Sequence, residues 1–147
     1  MQSGVNMNKY LNISFVLLMV LFSRLVIAEE VSLYDSKGEA VAYIDTADEM
    51  TVYLWSGEPV AYYEGDSIWG FNGTHLGWFN NGIIIDHKGF AVGAVRGAVN
   101  MTYQLEALKS LKSLKSLKSL KELEPLKPLE KAQWSAMPLS VFLANGK

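Results

Sequence analysis

Four segments of the chain read in register: Tyr34-Asp35-Ser36-Lys37-Gly38-Glu39-Ala40-Val41-Ala42-Tyr43-Ile44; Trp55-Ser56-Gly57-Glu58-Pro59-Val60-Ala61-Tyr62-Tyr63; Phe71-Asn72-Gly73-Thr74-His75-Leu76-Gly77-Trp78-Phe79; and Ile85-Asp86-His87-Lys88-Gly89-Phe90-Ala91-Val92-Gly93-Ala94-Val95. In each, a large apolar residue precedes Asp, Ser or Asn and then Gly. Three positions after that Gly stands Val or Leu, then Ala or Gly, then two mostly large apolar residues. The glycines Gly38, Gly57, Gly73 and Gly89 lie 19, 16 and 16 residues apart. Self-similarity at a short period marks a repeat architecture.

Each copy predicts a hairpin. Asn72-Gly73 between two apolar runs points to a two-residue type I′ turn, which needs positive φ at both central residues. Ser56-Gly57 fills the same slot. The turns from Asp35 to Gly38 and from Asp86 to Gly89 read as two residues longer, opened by an Asp side chain and closed by a left-handed Gly. Val, Ile, Tyr, Trp and Phe in the flanks suit strands. A lone hairpin is marginal in water, so the four are expected to share a core. Both strand faces are apolar, and one begins each time with a small residue. Ala42, Ala61, Gly77 and Gly93 are therefore expected near a pseudo-fourfold centre where backbones crowd.

With Asp/Asn/Ser-x-Gly-x-x-Val/Leu-Ala/Gly-aromatic repeated four times, residues 31–96 resemble the bacterial four-fold β-flower domain, and the tail beyond is similar to that family as well. The resemblance implies an all-β fold of four short antiparallel hairpins around a pseudo-fourfold axis. It implies no activity, so no functional residue is carried over from it.

The remaining chain divides by composition. Residues 1–28 read as a secretory signal peptide: Lys9 in the basic region, an apolar stretch from Leu11 to Phe22, and Val26-Ile27-Ala28 before a cleavage point after Ala28. The expected location is periplasmic or secreted, with no integral membrane span left after cleavage. Loss of Lys9 and Arg24 leaves eleven basic against fifteen acidic residues, a net charge of −4, which offers nucleic acid no electrostatic footing. No Cys is present, which excludes disulfides, thiolate metal sites and a Cys nucleophile. The hairpin domain is placed at residues 29–103, a triplet tail at 104–130 and a C-terminal docking segment at 131–147.

In the tail, Leu recurs at 105, 108, 111, 114, 117, 120, 123, 126 and 129, mostly followed by Lys. On an α-helix a period of three winds the leucines around every face. In polyproline II, with three residues per turn, all nine line one edge. Pro125 and Pro128 favour the second conformation, whereas Leu, Lys, Glu and Ala are good helix formers; both readings stand. An extended tail either projects as a spacer or wraps the hairpins, and its Leu edge at residues 105–129 is the expected surface for an unknown protein or envelope partner. Trp134, Phe142 and Leu143 are expected to dock the chain end onto the body.

Candidate chemistry is sparse. No Gly-x-Ser-x-Gly elbow, phosphate loop or His-Glu-x-x-His occurs. Two histidines without a third ligand make no metal site, and no cofactor is expected. His75 and His87 are not repeated in the other copies and read as solvated loop residues. The leading expectation is a non-enzymatic interaction module, with no catalytic residue. One alternative uses recurring aromatics, Trp55, Trp69, Trp78 and Tyr62, as a platform for glycans or choline-type cations; the stretch from Gly77 to Gly82 is similar to cell-wall choline-binding repeats. Another is a hydrolase with His75 or His87 beside Asp66 or Asp86, or with a pair among Asp45, Asp48, Glu64 and Asp66, in a cleft between repeats.

Overall fold

The computed structural model describes residues 29–147; the signal-peptide expectation for residues 1–28 lies outside the described residues. Eight strands follow one another: β1 (Glu30–Tyr34), β2 (Ala40–Asp45), β3 (Thr51–Leu54), β4 (Pro59–Glu64), β5 (Ser67–Gly70), β6 (His75–Asn80), β7 (Ile83–Ile85) and β8 (Ala91–Val95). Each pairs antiparallel with its neighbours, and β8 pairs with β1, so the sheet closes into a barrel.

The glycine turns share one geometry. The amides of Gly38, Gly57, Gly73 and Gly89 donate to the carbonyls of Asp35, Leu54, Gly70 and Asp86 at 3.0, 2.8, 3.1 and 3.0 Å. The amides of those same four residues donate across the loop to Glu39, Glu58, Thr74 and Phe90 at 2.8–3.0 Å. This is the three-residue loop in which a type I turn is followed by a left-handed residue, and the glycine φ values are +74°, +83°, +87° and +85°. The type I′ turn expected at Asn72-Gly73 does not form, because Asn72 lacks a positive φ. Nor are the first and fourth loops longer. Trp55 and Phe71 sit inside their loops, matching Ser36 and His87, while Tyr34 matches Tyr53, Trp69 and Ile85 in the strands. The Asn72 carboxamide oxygen accepts the Thr74 amide, as Asp35 accepts those of Lys37 and Glu39 and Asp86 those of Lys88 and Phe90.

Each hairpin shifts register at the same place, between Leu33 and Tyr34, Val52 and Tyr53, Ile68 and Trp69, Ile84 and Ile85. The extra residue in each bulge turns the strand. Leu33, Val52, Ile68 and Ile84 are buried in the core with Ala42, Ile44, Val60, Ala61, Leu76 and Val92. That core is completed by a short helix, α1 (Leu139–Ala144), through Leu139, Phe142 and Leu143. Ala42, Ala61, Gly77 and Gly93 are all buried. The reason is specific at two of them: a Cβ on Gly77 would strike the Ile85 carbonyl of the neighbouring strand and press on the Phe142 ring at 2.9 Å, and one on Gly93 would press on the Leu139 side chain at 2.7 Å. Gly93, and in part Gly77, make room for α1. Each large side chain it buries stabilises its docking by about 1.5–3 kcal/mol. Trp134 is half-buried and bridges to Ala91, with Ala91 N–H bonded to the Gln133 carbonyl and Ser135 N–H to the Ala91 carbonyl.

Between barrel and helix the chain from 104 to 131 contains neither helix nor strand, so the helical alternative is not what forms. It passes the four hairpin tips in order. The amides of Gln104, Ser113, Glu122 and Lys131 donate to the carbonyls of Gly38, Gly57, Gly73 and Gly89 at 2.8, 2.8, 2.9 and 2.8 Å. Successive donors are nine residues apart, three triplets per hairpin. The intermediate bonds from Ser110 to Trp55 and from Ser119 to Phe71 keep the same step, and Pro128, nine residues further on, has no N–H to offer His87. A Cβ at any of the four glycines would strike a tail carbonyl, of Thr102, Leu111, Leu120 or Leu129. Glycine is thus required at each tip twice: for its φ and for the strap crossing it.

Candidate functional site

The three positions of the triplet do different work. The third supplies the amides that hold the hairpin carbonyls. The second faces the barrel wall. The first faces solvent: the nine leucines at 105–129 are 89–100% exposed. Hydrophobicity alone would bury them; the strap's period of three decides otherwise, since one slot must point away when the other two are engaged.

The second slot is matched to the wall beneath it. Tyr43 and Tyr53 stack across β2 and β3 at 5.5 Å, and Lys109 and Lys112 lie over these rings, 4.5 Å from the Tyr43 centroid and 5.3 Å from the Tyr53 centroid respectively. Nine residues later Lys118 covers Tyr62 at 4.3 Å and Lys121 covers Trp69 at 4.8 Å. Their ammonium groups end on carboxylates: Lys109 and Lys112 on Glu30, Lys112 on Asp45, Lys115 on Asp48 and Glu49, Lys118 on Glu49, Lys121 on Glu64, and Lys127 on Asp66. Hydrogen bonds from Lys109 and Lys112 hold the Glu30 carboxyl below its usual range, and those from Lys115 and the Tyr53 hydroxyl do the same for Asp48. Burial pulls Lys112 down, but Asp45 and Glu30 outweigh it and keep its pKa above the ordinary lysine value. Where the wall offers donors, the slot carries Glu: Glu106 accepts the Tyr34 hydroxyl at 2.5 Å, and Glu124 accepts Ser67 at 2.7 Å and the Trp78 indole at 3.1 Å.

The aromatic residues singled out by the sequence are therefore spread round the wall under the strap. Trp69, Trp78 and Tyr62 are 4%, 1% and 2% exposed, and only Trp55 is half-buried, its indole bonded to the Ala107 carbonyl at 3.1 Å. They do not make an open platform; lysines of the same chain occupy the faces of Trp55, Tyr62 and Trp69 that an ammonium ligand would use, and His75 and His87 pack against Trp78. The linker acids Asp45, Asp48, Glu64 and Asp66 likewise face strap lysines rather than a cleft. Among the described residues no three His, Asp or Glu side chains converge as metal ligands, and no helix is long and apolar enough to cross a membrane.

The antiparallel pairing of β6 with β7 does bring the two histidines together. His75 Nδ1 and His87 Nε2 are 2.9 Å apart with the rings stacked at 5.2 Å. His75 is fully buried against Trp69 and Trp78, and its Nε2 has no hydrogen-bond partner. The nearest counter-charge is the Glu124 carboxylate at 3.8 Å. Burial first, and the neighbouring His87 second, push the His75 pKa down. His87 is exposed and lines, with His75, a cleft of about 900 Å³ between the third and fourth hairpin tips and the C-terminal segment. The expectation of two solvated loop histidines fails for His75: a position that reads Ala40, Pro59 or Ala91 elsewhere lies on the covered wall. The signal was available, since both are the departures from the repeat, but their pairing was not. His75 stands two residues after one tip glycine and His87 two before the next, and only adjacent hairpins paired through β6 and β7 join such positions.

Residues 31–143 match the family model described as 4-fold beta flower protein. No curated protein and no solved structure matches the chain.

Proposed function

The chain belongs to the 4-fold beta flower family, and on that footing we propose that it is an exported, non-enzymatic scaffold whose barrel holds a row of leucines out to a protein partner of the cell envelope. The observation that carries this is the exposure of all nine leucines along one edge of the strap. Contiguous apolar surface on that scale marks an interaction site. Each leucine covered by a partner would contribute about 1.5–3 kcal/mol, so four or five offset an association cost of about 4–15 kcal/mol. The strap runs as a polyproline II-like strand, pre-ordered by its hairpin bonds, so little further ordering is lost on docking.

Charge favours a protein over a lipid surface. The six strap lysines that would attract anionic headgroups already face the barrel's own carboxylates, and without residues 1–28 the chain is net acidic. The leucines form a single file flanked by polar slots, the shape an apolar groove accepts. The test is photo-crosslinking in the producing cell from positions 111 and 120, with 112 and 121 as inward-facing controls. One protein adduct of defined mass from the outward positions alone is expected. Adducts with lipid only, or co-sedimentation with anionic vesicles that the combined variant Leu111→Ser/Leu114→Ser/Leu117→Ser abolishes, would replace the protein partner with a membrane.

A further inference from the structure

The cleft beside His87 is independent of the leucine row. Among the described residues, clefts open between neighbouring tips. Those between the first and second and between the second and third hairpins are about 360 and 460 Å³ and contain no histidine. The one between the third and fourth is about 900 Å³, within the range of small-molecule sites. Its walls are Leu76, Phe90, Trp134, Met137 and Phe142, and its polar edge holds His87 and Lys88. Asp86 also lines it, but one of its carboxylate oxygens is bound to the amides of Lys88 and Phe90, shaping the turn.

The histidine tautomers follow from their surroundings. A bare lone pair on His75 Nε2 would face the Glu124 carboxylate in a buried setting; an N–H there points its proton toward that charge. His75 Nδ1 is then the acceptor, His87 Nε2–H the donor across 2.9 Å, and His87 Nδ1 is the free nitrogen carrying a lone pair. The chain of groups runs Glu124, His75, His87. The Glu124 carboxylate, 3.8 Å from His75 Nε2, is the negative charge behind the pair, on the side away from the cleft. The groups facing the pair are Glu124 and Glu122 from the strap, Asp66 from the turn before β5, and Asp86 and Lys88 from its own turn.

We propose that this cleft binds an amphipathic monocarboxylic acid, its apolar body against Phe90, Trp134, Met137 and Phe142 and its carboxyl on His87, with the Lys88 ammonium beside it. The head group enters as the carboxylate and one proton is taken up from solvent: an O–H bond of hydronium breaks and an N–H bond forms at His87 Nδ1, leaving an imidazolium–carboxylate pair; no other bond changes. The apolar wall selects the chain, and the Lys88 ammonium with the protonated His87 selects an anionic head group, Asp86 on the same edge being turned to its own loop amides.

The test titrates the full chain with decanoate, decanol and decyltrimethylammonium, following histidine ring and Trp134 resonances by NMR. Saturable one-site binding of decanoate that perturbs His87 and Trp134 and raises the His87 pKa is expected, with decanol weaker and the ammonium compound excluded. His87→Gln, at an exposed position, should weaken decanoate by about tenfold while leaving decanol unchanged. Leu111→Ser/Leu114→Ser/Leu117→Ser should bind decanoate normally. Equal binding of all three head groups, no shift at His87, or loss of binding in the leucine variant would each overturn the proposal, the last by moving the ligand to the strap.

Discussion

Replacing Gly73 by Ala separates the strap's contribution from that of the turn. Gly73 has φ +87°, and an added Cβ would fall on the Leu120 carbonyl. Gly65 has φ +68° with nothing within 4 Å of that position. Both substitutions incur left-handed strain of about 1–2 kcal/mol. Only Gly73→Ala also forces the strap away, which breaks the bonds from Glu122 to Gly73 and from Ser119 to Phe71. Two backbone hydrogen bonds at about 0.5–1.5 kcal/mol each add about 1–3 kcal/mol. Gly65→Ala should therefore lower stability by about 1–2 kcal/mol and Gly73→Ala by about 2–5 kcal/mol. Denaturant midpoints measure the totals, and amide exchange at 119–122 with tryptic cutting at Lys118 and Lys121 reports the strap. Exchange there should quicken several-fold or more in Gly73→Ala and stay unchanged in Gly65→Ala. Equal losses in the two variants, with the strap equally protected, would refute the double role assigned to the tip glycines.

Other perturbations follow from the same contacts. Phe142→Ala empties the space beneath Gly77 and should destabilise by about 3–5 kcal/mol in denaturant unfolding. Leu111→Ser and Leu120→Ser, at residues 93% and 97% exposed, should shift the midpoint by no more than about 0.5 kcal/mol while losing the crosslinked partner. The strap's grip should depend on pH at both ends. The carboxyls of Glu30 and Asp48 have folded pKa values below their unfolded ones, so their contribution is present above the unfolded values and is lost as pH falls through the folded ones. Lys112 and Lys115 are raised, so theirs is complete below the unfolded lysine value and is lost as pH climbs through the folded ones. Tryptophan fluorescence across that range should show the strap loosening at each extreme, with added salt weakening it at neutral pH.

Several features were readable before any tertiary contact. A glycine that must take positive φ, an Asp three residues ahead (Asp35, Asp86) or an Asn one ahead (Asn72) able to hold turn amides in three of the four copies, and apolar alternation on either side are local requirements. The four tips and eight strands follow from them. Exact loop length was not readable: Trp55 and Phe71 look like strand ends and lie in the loops, because hydrogen bonds across the turn, not side-chain size, decide where a loop begins. The Leu76-Gly77 and Val92-Gly93 steps announced close approach but not what approaches, since one occupant, α1, comes from the far end of the chain.

The order of residues alone determined the tail's period of three and the isolation of His75 and His87 from their repeat. Only the closed barrel turned three into nine, because tip carbonyls spaced around a ring select every third triplet for bonding and thereby send the leucines outward. The pairing of β6 with β7 carried His87 onto His75, a meeting set by which strands are neighbours and by no property of either residue.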